Sequence, residues 1–320
     1  MPAVSVIIPT HNRARLVVEA IRSVLSQTHT ELEVIVVDDA STDGTPEEIA
    51  KEFGEEIRKE KLRYLRNASH QERSLTRNRG IEAARGEYLA FLDDDDLFLP
   101  AHLKNCVCRL QHCDVVGTGV ILTDINANPI SEYTFPFFGR LQPNELALLG
   151  LGINNSNAVM RKEVVQRAGL FRVGLHQGED IDFWMRVAMT ATVELIPEKT
   201  VLRRAHPENY TFNAEQALHV RFLDGLKAML LENAARLHYT LSPRVLGYLH
   251  LYIAWNGACH GQRDYALKRL QEALRIYPLL AVSEPYSFRL LGRLLLLADG
   301  RLYKFFRKVK RQWKHLASAS

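Results

Sequence analysis

The feature that most constrains this chain is the regular alternation of its first hundred residues between short strand-like runs and helical stripes. Val4–Pro9 reads as a strand, and Arg13–Gln27 repeats apolar residues at Leu16, Val17, Ala20, Ile21, Val24 and Leu25. Val34–Val37 is a second strand, Pro46–Lys59 a helix with proline in its first turn, and Leu62–Leu65 a third strand. Ser74–Arg85 is helical, and Tyr88–Leu92 is a strand running into four consecutive aspartates. Such alternation predicts an α/β fold, a mostly parallel sheet with helices on both faces. Ligands of such sheets bind at the C-terminal strand ends, which names the loops that matter.

Those ends are unusually polar. The first carries Thr10, His11, Asn12 and Arg13; the second Asp38, Asp39, Ser41, Thr42 and Asp43; the fourth Asp93, Asp94, Asp95 and Asp96. Adjacent aspartates repel and push each other's protonation upward. A hard divalent ion relieves that cost, since Mg²⁺ and Mn²⁺ favour carboxylate oxygen and keep water or phosphate as further ligands. The plainer alternative is a solvated acidic turn that caps a helix beginning at Leu97.

Composition excludes more than it reveals. At 320 residues, with 47% hydrophobic and 24% charged residues, the chain is long enough for one large or two modest cores. A net charge of +4 gives no reason to expect a nucleic-acid partner. The sequence enters its first strand almost at once, and the longest apolar run, Val245–Ala258, is short and contains His250. Cys106, Cys108, Cys113 and Cys259 make no disulfide framework, and a reducing, cytoplasmic setting is expected. The first three, with His112, match no zinc spacing; Cys106, Leu110 and Cys113 read as buried side chains on one side of a helix. Phosphate loops, nucleophile elbows and paired-histidine zinc motifs are missing, and Gly117-Thr118-Gly119 lacks the third glycine of a dinucleotide fingerprint.

The ordered set VSVIIPTHNR, VVDDASTDGT, LTRNRGIEAARGEYLAFLDDDD and HQGEDIDFWMRVA resembles glycosyltransferase family 2, inverting enzymes of the GT-A fold, over about residues 3–210. The resemblance implies that Thr10 and Asp39 hold the nucleotide base, with Asn12 in the same donor-binding set. It places Arg77 and Asn78 beside the donor, and Asp93, with Asp94 sharing the role, on the ribose or pyrophosphate. Asp95 becomes the metal carboxylate, joined by His206 near the metal or pyrophosphate, and Arg73 reaches toward the base. It also makes Asp180 the general base and Glu179 its helper.

The chemistry asks for the same parts. A departing nucleoside diphosphate needs its charge neutralised, and an attacking hydroxyl needs a positioned base. Glu179 and Asp180 open a helical stretch, whose N-terminus is expected to keep them ionised. Arg203 and Arg204 would assist a phosphate or stay exposed, and Asn154-Asn155-Ser156-Asn157 would line an acceptor pocket or form a polar strand edge.

From Asp114 to Ala205 strands (Val115–Leu122, Val193–Ile196, Thr200–Arg204) mix with helices (Lys162–Ala168, Asp180–Met189), and beyond about Asn213 the pattern is helical throughout. The expected division is a catalytic domain over residues 1–212 and a helical domain over 213–320. Ala254, Gly257, Ala266, Leu270, Ala273 and Pro278 fall at tetratricopeptide-type spacings, as a docking platform or a helical cap. From Gly300 onward seven Lys/Arg and no acidic residue flank an apolar stripe of Leu302, Phe305, Phe306, Val309 and Trp313. That tail either lies on an anionic membrane surface, making the protein peripheral on the inner face, or packs on Leu294–Leu297.

The expectation is therefore a metal-dependent transferase using Mn²⁺ or Mg²⁺. It moves sugar from a nucleotide-diphospho-sugar, UDP-linked by family habit, to a hydroxyl of a saccharide, lipid-linked or protein acceptor, as in polysaccharide, glycolipid or protein glycan synthesis. The rivals are a non-catalytic sugar-nucleotide-binding scaffold and a nucleotidyltransferase, the latter lacking its glycine-rich loop here.

Overall fold

Four short strands, the β-branched Val4–Thr10 (β1) and Leu32–Asp38 (β2) and the leucine- and aromatic-bearing Leu62–Arg66 (β3) and Tyr88–Phe91 (β4), pair in parallel in the order β3-β2-β1-β4. The computed structural model describes residues 3–133, 139–141, 153–175, 178–205, 216–238, 240–259 and 262–278. The chain divides into two compact units, Met1–Asn213 and Ala214–Ser320.

Helices α1 (Ala14–Leu25), α2 (Thr45–Arg58) and α3 (Arg73–Ala83) connect these strands. Strand alternation sorts the core onto two faces. Val6, Ile8, Val34 and Val36 join Val17, Ile21, Val24, Ile49 and Phe53 on one face. Ile7, Ile35, Val37 and Phe91 join Ile81, Phe183, Trp184 and Val187 on the other. Each such side chain, fully buried, contributes roughly 1.5–3 kcal/mol. Helix α3 approaches β1 closely because Gly80 has no side chain: a Cβ there would meet Ile7 Cγ2 at 2.4 Å. That approach brings Arg77 and Asn78 to the sheet edge.

The second half extends the sheet. Leu97–Phe98 (β5) is a short strand rather than a helix start, so the acidic turn caps no helix there. After α4 (His102–Val107) come β6 (Val115–Thr123), β7 (Pro129–Tyr133), β8 (Gly139–Leu141), a 3-10 turn at Asn155–Asn157, β9 (Ala158–Arg161), α5 (Val164–Ala168), α6 (Glu179–Thr190) and β10 (Val193–Arg204). β9 runs antiparallel to both β4 and β6, while β10 runs parallel to β6. The sheet order is β3-β2-β1-β4-β9-β6-β10-β5, with β7 on β6 and β8 on β10. The two strands expected over 193–204 are one. Pro197, unable to donate to a ladder, sits where the register slips between Leu195 and Lys199, so the strand bulges instead of ending. Cys106, Leu110 and Cys113 are buried together in the core, although the helix itself stops at Val107.

The second unit contains α7 (Gln216–Arg236), α8 (Pro243–Cys259) and α9 (Arg263–Ile276). Ala254, Ala266, Leu270 and Ala273 are buried, and Gly257 leaves room for the Tyr265 ring, which a Cβ would meet at 2.9 Å. The segments Tyr286–Leu297 and Leu302–His315, with the basic tail, lie outside the described residues. No helix among the described residues is long and apolar enough to cross a membrane.

Candidate active site

The loops after β1 and β2 are tied to each other. Asn12 adopts φ 53, accepts from the Thr42 amide at 2.7 Å, and donates its own amide to Ser41 Oγ at 2.9 Å. Asparagine tolerates this left-handed backbone; Ala40, at φ 59, does so at a strain cost. Asn12, expected among the donor contacts, thus spends its side-chain oxygen on bracing the second loop. Asp39 is 5% exposed; its Oδ1 accepts from Asn67 Nδ2 at 2.7 Å and the Gln71 amide at 2.9 Å. His70 Nδ1 lies 3.0 Å from the other oxygen. Asp38 accepts from the Ser41 amide and the Tyr64 hydroxyl, fixing the strand end beneath.

The acidic turn after β4 is shared between two arginines. Arg13 Nη1 donates to Asp94 Oδ1 at 2.9 Å and Asp95 Oδ2 at 2.8 Å, while Thr10 Oγ1 donates to Asp94 Oδ2 at 2.7 Å. On the other side Arg77, 4% exposed, reaches Asp93 Oδ1 and Glu179 Oε1, both at 3.0 Å. One guanidinium therefore joins the end of β4 to the start of α6, reaching Glu179 from 102 residues away in sequence.

The carboxylates respond differently. Burial raises the Asp93 carboxyl, but Arg77, with Arg73 and Arg203, outweighs it, and the group titrates below the usual carboxylate range. Burial lifts Asp94 to about 6 against the pull of Arg13, with Asp95 adding to the rise. Asp96 is pushed well up by burial and by Asp95 and Asp93. Its oxygens accept from Ser156 Oγ at 2.6 Å and the Arg204 amide at 3.2 Å.

Helix α6 begins after Gly178, which takes φ 76 and lets the chain turn sharply into Glu179 and Asp180. Burial and Glu179 raise the Asp180 carboxyl, with Arg77 opposing. The helix N-terminus and the Ile181 amide, which donates to Asp180 Oδ1 at 2.8 Å, favour the ionised form, but burial and Glu179 outweigh them in the direction of the shift.

Other expectations are corrected. The Asn78 side-chain amide bonds the Phe171 backbone, donating at 2.8 Å and accepting at 2.9 Å, and so anchors that loop. Asn155, Ser156 and Asn157 are neither pocket lining nor strand edge. They are buried, receiving Trp184 Nε1 at 3.1 Å, donating to Asp96, and donating to the Thr118 carbonyl at 3.1 Å respectively. Arg204 is 2% exposed and ion-paired with Glu19, not free for a phosphate. His206 lies outside the described residues. Among the described residues no cluster of three or more metal-ligating side chains could hold an ion by itself.

The residues missed in the sequence are Trp184, Tyr64 and His70. Each works through a partner far away in the chain, and spacing carries no signal of that.

An open mixed sheet, parallel through its first four strands with carboxylates at their C-terminal edge and continued by antiparallel pairings, defines a GT-A glycosyltransferase fold. The glycosyl transferase family 2 model matches residues 5–169, and the chain belongs to that family. It is 30% identical over 214 residues to an uncharacterized glycosyltransferase of Rickettsia conorii, covering 64% of this chain and 34% of the relative. The chain thus spans about a third of that relative's length. Among solved structures, S. aureus TarS 1-349 in complex with UDP-GlcNAc superposes with TM-score 0.59 at 18% identity, covering 87% of this chain and 92% of that one. The mannosyltransferase PcManGT from Pyrobaculum calidifontis, in complex with GDP-Man and Mn²⁺, gives TM-score 0.58 at 21% identity, covering 99% and 86%.

Proposed function

We propose that this chain transfers a sugar from a nucleotide-diphospho-sugar, UDP-linked by preference, to an acceptor hydroxyl with inversion, assisted by Mn²⁺ or Mg²⁺. The observation that carries the reading is Arg77, which ties the Asp93 carboxylate to Glu179 and thereby sets the acidic turn beside Asp180. Family membership supports glycosyl transfer, and the solved neighbours with UDP-GlcNAc and with GDP-Man and Mn²⁺ support a nucleotide-sugar donor with a divalent ion.

The donor set fits a hard cation. It consists of carboxylate oxygens, and Asp94 and Asp96 sit above their ordinary range through burial first and the neighbouring aspartates second, both of which a cation would offset. Asp95 would hold the ion, joined by His206. Bound there, the ion supplies Lewis-acid stabilisation of the departing diphosphate. Asp93 would orient the ribose or pyrophosphate, with Asp94 sharing that role, and Thr10 and Asp39 would receive the base.

Asp180 would accept the acceptor proton as that hydroxyl attacks the anomeric carbon from the side opposite the leaving group. A carboxyl raised by burial is a better base than a solvated one, provided it remains ionised at the working pH. Glu179, held by Arg77, contributes negative charge that lifts Asp180. The acceptor would be a hydroxyl of a saccharide, a lipid-linked glycan or a protein, with the basic tail as a membrane contact for a lipid-linked one.

A thermal-shift screen of nucleotide-sugars with Mn²⁺ identifies the cognate donor, which stabilises by mass action. Asp95→Ala is expected to abolish metal-dependent donor binding. Unchanged binding in that variant would overturn the metal assignment.

A further inference from the structure

The loop between β3 and α3 brings its own flat ring to the edge where the base is read. His11 is fixed: its Nδ1 lies 2.7 Å from the Asp39 carbonyl oxygen, and its Nε2 lies 3.1 Å from Asn12 Nδ2. A carbonyl can only accept, so Nδ1 carries the proton and Nε2 receives the Asn12 amide, which leaves one orientation for the ring. On this platform rests His70, with ring centroids 4.3 Å apart and planes inclined by 39°. The His70 side chain is 64% exposed, yet its Nδ1 lies 3.0 Å from Asp39 Oδ2. An aromatic ring lying on His11 with a ring nitrogen against the Asp39 carboxylate has the two contacts that a nucleobase with a ring N–H would make there.

We propose that His70 is a built-in stand-in for the donor's base, occupying the His11–Asp39 seat until a base displaces it. The proposal rests on the reading of Asp39 as the base-binding carboxylate. A ring 4.3 Å from His11 leaves no room for a second ring between them, so base and imidazole exclude each other. The other oxygen of Asp39 keeps its bonds to Asn67 and the Gln71 amide, so the loop stays anchored on both sides of His70 when its ring swings out. The occupant that fits is a base with a ring N–H on its pairing edge, as in uracil or guanine. Cytosine presents a lone pair at that position, which the carboxylate repels. The stand-in keeps Asp39 satisfied in the empty protein and lowers apparent donor affinity by the fraction of molecules in which the seat is taken.

The test is calorimetric titration of the full chain with UMP and with UDP plus Mn²⁺. His70→Ala is expected to tighten both by about 5-fold, since the term belongs to the base and not to the phosphates. CMP is expected to gain nothing. Unchanged or weaker UMP binding in His70→Ala overturns the stand-in, weaker binding meaning that the imidazole contacts the base directly. Asp39→Ala is the partner experiment. If it binds UMP as the wild type does, the base-site reading falls and takes the stand-in with it. If it weakens UMP while His70→Ala fails to tighten it, that reading survives and the stand-in alone is rejected. A gain in affinity is not produced by misfolding, so the expected result cannot be mimicked by a damaged protein.

Discussion

The two arginines that divide the acidic turn make similar contacts in different surroundings. Arg77 and Arg13 each pair with two carboxylates at about 3 Å, but the side chain of Arg77 is 5% exposed and that of Arg13 is 22% exposed. The carboxyl beside Arg77, Asp93, falls below its usual range, whereas Asp94 beside Arg13 rises to about 6. The difference is one of company. Asp93 has Arg73 and Arg203 as further cations, while Asp94 has Asp95 as a further anion. Arg77 is thus a fixed internal strut, and Arg13 an exchangeable counter-charge whose carboxylates a divalent ion could take over.

Replacing the strut should have the largest effect. Arg77→Met leaves Glu179 buried without its cation, and a loss of about 3 kcal/mol is expected in urea unfolding. A loss below about 1 kcal/mol would show that Glu179 finds water and that the strut is dispensable. Next comes the acid that Arg77 sets in place. Asp180→Asn should lower turnover by about 10³-fold while donor binding, followed by calorimetry, stays within about 2-fold. Turnover near wild type would remove Asp180 from the chemistry.

The third prediction concerns pH, with divalent ions removed by chelation. Asp94 has a folded-state pKa near 6 against an unfolded value near 3.8, so between these values the folded chain binds more protons than the unfolded one. Stability contributed by this group therefore falls as pH rises from about 4 to 6, by on the order of 2 kcal/mol, and is flat above. Asp94→Asn should flatten that slope, while Asp93→Asn should not, because Asp93 is shifted the other way. The smallest effect belongs to the exchangeable arginine. Arg13→Ala should cost under about 1 kcal/mol of stability and should bind Mn²⁺, measured by electron paramagnetic resonance, a few-fold more tightly than wild type. Weaker Mn²⁺ binding would instead make Arg13 part of the site's scaffold.

The strand–helix alternation was readable because each element alternates or repeats on its own, as Val6, Ile7 and Ile8 do on the two faces of β1. The carboxylates were readable because they follow strands directly. What stayed hidden depends on pairs remote in sequence. Nothing near Asn78 announces that its amide closes on Phe171, 93 positions later, nor near Ser156 that it meets Asp96. Pro197 misled for a related reason: proline interrupts most strands, but a bulge between two stretches paired to β6 absorbs it. The upward shift of Asp180 was not legible because the helix start and Glu179 are visible in sequence, whereas its burial and the approach of Asp93 are not.

The indole of Trp184 is 1% exposed and donates to Asn155, whose neighbour Ser156 grips Asp96 and also receives the Asp93 amide at 3.2 Å. The other two tryptophans, Trp255 and Trp313, belong to the second unit. With both replaced by phenylalanine, the remaining fluorophore sits two hydrogen bonds from the acidic turn. Its emission would then register occupancy of that turn in real time, with no dye attached and no catalytic turnover required.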